Sequence, residues 1–556
     1  MITGKITKAG AVIAALVLGF AAQAETKRYL VQFKSQAAFL ATAQGVSALN
    51  RGLNTDSVSG SQVAFLNSSA KVTHTLNNIQ MMVIESNDAL TVASLRTRPE
   101  IALIEEEIFH PAPAPMATHS PAGNTAFMAP LDAVQQPWGI DAVKAPGAWA
   151  TTKGAGAHVV ILDTGVDKNH KAVSGNYEDF QNFTGGSATD VTDTVGHGTH
   201  VSGTIAADGK NGLVGVAPEA KLNMGKVCTD LGCSSVAIAQ GIDWAVSKHA
   251  DAVNMSLGGA FMSAGEGAAV QRAEDAGVIV VAASGNDGKP TVSFPAAAPT
   301  CFAIGAVDAK LVKADFSNWG PELAVVAPGV DVVSSVPLGT GRGGTAKINL
   351  DNKGLADVTS TMFVGSPVSA PGEAPLVYAG LGKPTDFTGL DLHGKLALVS
   401  RGEIAFKDKV VNAIAAGAIG VVIYNNAPGL IQGTITSDGT EAAVPAVLIE
   451  QALGEQVKAA LAAGQKATAD IAVIKTDYAS FAGTSMATPH VAGVVALVRA
   501  ANHNLTPAQV RDIIKSTATP LAGDNSQNQW GKGMVNAEAA VAKAKTTFVP
   551  EFQIAN

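Results

Sequence analysis

A carboxylate, an imidazole and a hydroxyl sit in three short segments of the chain: Asp163 in VVILDTGVD, His197 in GHGTHVSG and Ser485 in GTSMATPHVAG. Acyl transfer needs these three residue types. A hydroxyl attacks, a neutral imidazole takes its proton, and a carboxylate orients the imidazole and stabilises its cation. Each segment alone has an ordinary reading. An Asp after an apolar run is usually a turn or cap residue, a His in a Gly/Thr-rich turn is usually a packed or surface residue, and a Ser before an apolar run can simply cap a helix. The joint occurrence carries the inference.

Three kinds of element must bring these groups together. VVILD reads as a buried strand of β-branched residues stopped by Thr164 and Gly165, which puts Asp163 at its C-terminal end, where open α/β sheets build sites. Gly196 and Gly198 flank His197, leaving room for substrate, and the small residues that follow predict a helix start. His200 is a second imidazole in the same segment, and spacing does not choose between the two. Ser485 precedes an amphipathic run in which Ala487, Gly493 and Ala496 permit close helix packing. A helix N-terminus there offers a positive end-field and free N–H groups to an oxyanion.

The chain order Asp, His, Ser is that of subtilisin and differs from the orders in chymotrypsin and the α/β-hydrolases. With the glycine-rich text around each residue, the chain resembles the subtilisin-like serine peptidases, or subtilases, over 137–348 and 476–546. The resemblance implies an α/β fold with a mostly parallel central sheet flanked by helices. It implies a secreted endopeptidase that cleaves proteins or peptides through an acyl-enzyme, with catalytic Asp163, His197 and Ser485, and it leaves His200, Pro489 and His490 structural. Asn286, in GVIVVAASGND, becomes the oxyanion donor together with the Ser485 N–H. AVNMSLGG at 252–259 resembles the substrate-binding strand, so Ser256, Leu257 and Gly258, with Ala283, Ser284 and Gly285, are expected to bind substrate. These small, uncharged walls suit a large apolar side chain, while Asp287 keeps the question of basic selectivity open.

The rest of the chain is organised around this core. Residues 1–24 carry Lys5 and Lys8, then an uncharged run and Ala22-Gln23-Ala24, the layout of a signal peptide cleaved after Ala24. The expectation is export, with no membrane anchor afterwards. Residues 25–110 alternate short strands and helices and resemble the α+β propeptide of subtilases, which serves as folding aid and inhibitor. Residues 111–136 form a Pro/Ala-rich linker. The long gap between His197 and Ser485 predicts an insertion over 349–475, whose strand, Ala-rich helix and strand resemble a protease-associated (PA) domain. The peptidase text resumes at 476–546, including a helix capped at Thr506-Pro507, and 547–556 is a tail.

A formal net charge of −8 and the lack of basic runs argue against nucleic acid as partner. With 47% hydrophobic and 15% charged residues, 556 residues suffice for about three to four domains. Cys228 and Cys233 are close enough in sequence for a loop-closing disulfide of about 2 kcal/mol in an oxidising compartment, leaving Cys301 as a buried free thiol. A monomer with no catalytic cofactor is expected. The resemblance implies structural calcium, with candidate loops at 207–218 and after Asp163, although Ala172 stands where one ligand is expected to be an Asp. A rival reading, an inactive binding protein on the same fold, is opposed by the intact Asp, His and Ser.

Overall fold

The computed structural model describes residues 26–50, 70–113, 136–350, 353–431, 433–436 and 440–548. The signal segment with its site at Ala24, most of the linker and the end of the tail lie outside the described residues. The chain divides into two compact units, one running to Thr75 and including Met82–Glu106, the other comprising Leu76–Met81 and everything from Glu107 onward.

The first unit is α+β. Strand Lys27–Phe33 pairs antiparallel with Ile101–Glu106, and helices Gln36–Asn50 and Ala89–Arg96 accompany the sheet. Asp88 caps the second helix by accepting from the Leu90 N–H. Val31, Phe33, Phe39, Leu95 and Ile104 share one core, with the Phe33 and Phe39 rings edge to face at 5.8 Å.

The second unit is built on a seven-stranded sheet: β1 His158–Asp163, β2 Tyr177–Asn182, β3 Lys221–Lys226, β4 Ala252–Met255, β5 Ile279–Ala283, β6 Cys301–Val307 and β7 Leu323–Pro328. Their order is β7-β6-β5-β4-β1-β3-β2, and every neighbouring pair is parallel. Parallel strands covered on both faces are apolar throughout rather than alternating, and Val159, Val160, Ile161 and Leu162 are all fully buried. From β1 the chain goes to β2 and back to β3 on one side, and later to β4 on the other. Strand order therefore reverses at β1, and the crevice beyond its C-terminal end is where such sheets place a site.

Helices α1 His197–Ala206, α2 Ser235–Ser247, α3 Ala264–Asp275, α4 Thr484–Ala501, α5 Pro507–Thr517 and α6 Ala537–Thr546 flank this sheet. Helix α4 packs along β4 to β7 and against α1. Its small residues permit that approach: a Cβ at Gly493 would lie 2.6 Å from the Val216 Cβ, and Ala487 and Ala496 are fully buried. Thr506 and Gln509 cap α5 reciprocally, with Pro507 in its first turn.

A second sheet of eight strands interrupts this α/β core between β7 and α4. Its parallel centre is Ala374–Tyr378, Leu396–Ser400, Gly420–Tyr424 and Ala446–Ile449. Side chains alternate across a strand, so Val422 and Tyr424 join Val457 of helix Gln451–Ala462 on one face. Val421 and Ile423 join Val410 of helix Phe406–Ala415 on the other. Strands Gly341–Leu350 and Ala467–Thr476 pair antiparallel along their whole length, from Gly341↔Thr476 to Leu350↔Ala467. The inserted sheet thus begins at Gly341, earlier than the 349 expected from sequence, because this strand pairs with the insert's last strand.

Candidate active site

Asp163 ends β1 fully buried, and its Oδ1 accepts from the Thr164 N–H and meets His197 Nδ1, each at 2.7 Å. His197 opens α1 after Gly196, whose φ of 87° lets the chain turn into the helix. Gly198 lacks a Cβ for a reason other than substrate access. A Cβ there would lie 2.1 Å from the Gly165 carbonyl oxygen and 3.2 Å from Asp163 Cβ, so the glycine lets the helix start press onto the end of β1. Burial alone would pull the His197 pKa down. The charge of Asp163, its hydrogen bond and the charge of Asp193 outweigh burial and hold the imidazole above its ordinary value. His197 Nε2 is buried and has no hydrogen-bond partner among the described residues.

The second imidazole has a different environment. His200 Nε2 meets the Val332 and Ala479 carbonyls at 2.9 and 3.2 Å, and its ring stacks on Phe481 at 4.4 Å. Burial drives its pKa down to about 3. His490 is likewise buried, bonded through Nδ1 to the Met486 carbonyl at 2.8 Å, with its pKa pushed down to about 4. Both are neutral packing residues.

Ser485 lies in the first turn of α4, and its hydroxyl donates to the Ser256 carbonyl at 3.0 Å. The Ser485 carbonyl in turn accepts from the Ser256 hydroxyl at 2.8 Å. Pro489 explains the second bond. In a helix the carbonyl of residue 485 would receive the N–H of residue 489, but proline has none, and Ser256 supplies the missing donor. Asn286 is held by its oxygen: the Thr484 N–H and hydroxyl both donate to Oδ1 at 2.8 Å. That leaves the Asn286 amide nitrogen as the group to face the cleft it shares with Ser485.

The cleft is lined by Ser256, Leu257, Gly258, Ala283, Gly285 and Ser485, among others, and Pro111, Ala112 and Pro113 lie in its wall. Ser284 departs from the expected set: it is fully buried and its hydroxyl donates to the Asn318 carbonyl at 3.1 Å. Asp287 lines the cleft but is exposed, with its carboxylate accepting from Asn318 Nδ2 at 3.2 Å, so it does not form a buried acidic floor. Cys228 and Cys233 form a disulfide across a short antiparallel pair. Cys301 is a buried free thiol whose pKa burial pushes up to about 12.

In the candidate calcium loop at 207–218 the one carboxylate is engaged within the loop itself. Asp208 Oδ1 accepts from the Lys210 and Asn211 N–H groups and Oδ2 from Asn211 Nδ2, and Ala172 is a buried methyl group. Calcium takes six to eight oxygens, and among the described residues no group of three or more His, Cys, Asp or Glu stands together to hold a metal ion.

Three residues that sequence reading passed over organise the site. Asp193 is buried and accepts through Oδ1 from the Thr164 hydroxyl and the Val195 and Gly196 N–H groups, and through Oδ2 from the Thr199 N–H and hydroxyl. It ties the end of β1 to the start of α1, and an acid just before a helix start was its only signal. Thr484 fixes Asn286. Asn318 Oδ1 accepts from the Asp287 and Lys289 N–H groups and so braces the loop that carries Asn286.

The model of the subtilase family matches residues 154–372, and that of the PA domain matches residues 372–457. The chain is 30% identical over 455 residues to the minor extracellular protease Vpr of Bacillus subtilis, covering 70% of this chain and 52% of that protein. It is 35% identical over 260 residues to subtilisin E of the same organism, covering 46% and 63% respectively. It thus spans about half the length of the first and under two thirds of the second. The crystal structure of a psychrophilic subtilisin-like protease from the Antarctic Pseudoalteromonas sp. AS-11 superposes with a TM-score of 0.57 at 30% identity. That match covers 75% of this chain and 100% of the other. A reversal of strand order at β1, a buried Asp–His pair at that point and these likenesses together lead to one conclusion: the chain belongs to the subtilase family, with a PA domain set between its histidine and serine segments.

Proposed function

We propose that this protein is a secreted serine endopeptidase that hydrolyses proteins through an acyl-enzyme and is made as a self-processing zymogen. The carrying observation is the buried contact of 2.7 Å between His197 Nδ1 and Asp163, with His197 Nε2 left without a partner among the described residues. In this reading the Ser485 hydroxyl leaves the Ser256 carbonyl, gives its proton to His197 Nε2 and attacks the substrate carbonyl. Asp163 holds the imidazole in the tautomer that keeps Nε2 unprotonated and stabilises the cation that follows. Asn286 and the Ser485 N–H, free in the first helical turn, bind the oxyanion. His197 then returns the proton to the leaving amine, and a water molecule repeats the sequence to release the acyl group.

The zymogen reading rests on the segment that enters the same cleft. Residues 111–113 line the same cleft as Ser485, downstream of the α+β unit. A tail held there keeps the site closed until it is cut, which makes the N-terminal unit inhibitor as well as folding aid. Export rests on the signal-like first 24 residues and on the Cys228–Cys233 disulfide, which belongs to oxidising compartments. The PA domain has no part in this chemistry and takes the role of substrate selection. The test is expression of the full chain and of Ser485→Ala. The wild type should lose a segment of about 10 kDa and clear casein, while the mutant stays intact and inactive. Identical behaviour of the two would end the reading.

A further inference from the structure

The tail that precedes Pro111 does more than pass through the cleft. Phe109 and His110 pair antiparallel with Ser234 and Cys233, and Ile108 exchanges bonds with Ser235: its N–H donates to the hydroxyl, and its carbonyl accepts the Ser235 N–H, both at 2.9 Å. This extended pairing is how a peptide adds a strand to an exposed edge, with alternate side chains falling into pockets. The His110 side chain falls into one. It is 3% exposed, and its Nε2 lies 2.8 Å from Oε1 of Glu266, which is 1% exposed. Gly259 forms the wall beside it, since a Cβ there would come within 2.9 Å of His110 Nδ1.

Glu266 is only half used by its own helix. Its Oε2 accepts from the Ser263 N–H, completing the capping box of α3, while Oε1 is the oxygen that meets His110. A buried carboxylate is costly unless a donor or cation satisfies it. A pocket floored by such a group rejects acidic side chains by repulsion and apolar ones by leaving the carboxylate unpaired. From this geometry we infer that Glu266 is a specificity-determining residue: the pocket filled by His110 selects a cationic or imidazole side chain in the substrate, on the acyl side of the attacked bond and upstream of the residues beside Ser485. The inference rests on the peptidase reading above.

The test uses the full-length expression product and a peptide library whose cut sites are mapped by mass spectrometry. One upstream position should favour Lys, Arg or His over Leu, and Glu266→Gln should lower the Lys-to-Leu ratio of kcat/KM at that position by about tenfold or more, the scale of one charge-assisted hydrogen bond. Gln still accepts from the Ser263 N–H, so the capping box survives the change, and a thermal melt verifies folding. An unchanged ratio, or no upstream preference in the wild type while casein is still cleaved, overturns the inference and leaves the peptidase reading standing. Should the wild type cleave nothing, the peptidase reading falls. The pocket is then judged by hydrogen exchange in full-length Ser485→Ala: adding Glu266→Gln must speed exchange at Ile108 and His110, and unchanged rates reject the pocket.

Discussion

Ser256 and Pro489 should be thermodynamically coupled through a main-chain carbonyl. The link is the Ser485 carbonyl, which Pro489 deprives of its helical donor and Ser256 supplies at 2.8 Å. Ser256→Ala removes that bond and a second one, from Asn254 Nδ2 to the Ser256 hydroxyl at 3.0 Å. Asn254 is fully buried and its Oδ1 already lacks a partner, so the loss leaves a wholly unsatisfied amide. With about 1 kcal/mol per net bond and about 1–3 kcal/mol for each stranded buried group, the single mutant should lose about 2–4 kcal/mol. That corresponds to a melting point lower by roughly 4–10 °C for a domain of this size. Pro489→Ala restores an N–H aimed at the same carbonyl. In the double mutant the carbonyl is satisfied again, so the two changes together should cost less than their sum by about 1 kcal/mol. Differential scanning calorimetry of the four corners of this cycle, all in Ser485→Ala to prevent self-digestion, reads the coupling. A coupling below about 0.3 kcal/mol, within ordinary additivity, would refute the assignment of that carbonyl to Ser256.

Other expectations concern the catalytic pair and its supports. Because Asp163 and Asp193 hold His197 above its ordinary pKa, kcat/KM should rise with pH through a midpoint above about 6.5, and Asp163→Asn should move that midpoint down as well as cut kcat. The same pair stabilises the fold while His197 is protonated, a contribution complete below the unfolded-state pKa and lost as pH rises through the folded one. Asp193→Ala strands five donors in a buried site and should cost about 3–5 kcal/mol in urea unfolding, with kcat falling more than KM rises. Gly198→Ala must displace the Gly165 carbonyl and should destabilise by more than about 2 kcal/mol, visible as a lower urea midpoint. Asn286→Ala should lower kcat by about 10²- to 10³-fold in a peptide assay, a figure carried over from subtilisin rather than worked out from this geometry.

The sequence made Asp163, His197 and Ser485 legible because each stands in a short stretch whose small residues are dictated by local packing. The parallel sheet was legible from the unbroken apolar run of β1, and the insertion from the distance between GHGTH and GTSMATPH. What the sequence withheld depends on partners far along the chain. Asn318 braces Asp287 from 31 positions away, and Glu266 meets His110 across 156. Local spacing leaves the choice between His197 and His200 open, whereas in the structure the first ring meets a carboxylate and the second meets main-chain carbonyls. The small side chains of Gly198 and Ser284 suggest space for substrate, yet backbone packing claims the first and Asn318 the second.

The antiparallel ribbon at the base of the PA domain has an engineering consequence. Val332–Ser335 pairs with Tyr478–Phe481, and Gly341 faces Thr476 just beyond. Thermodynamically, the whole inserted module is the loop of one hairpin, and its two ends leave the peptidase core side by side. Lengthening such a loop adds only logarithmically to its closure entropy, so the graft is inexpensive for the host. The same doorway offers a port where this module could be exchanged for another, or closed with a short turn, without re-aiming α4.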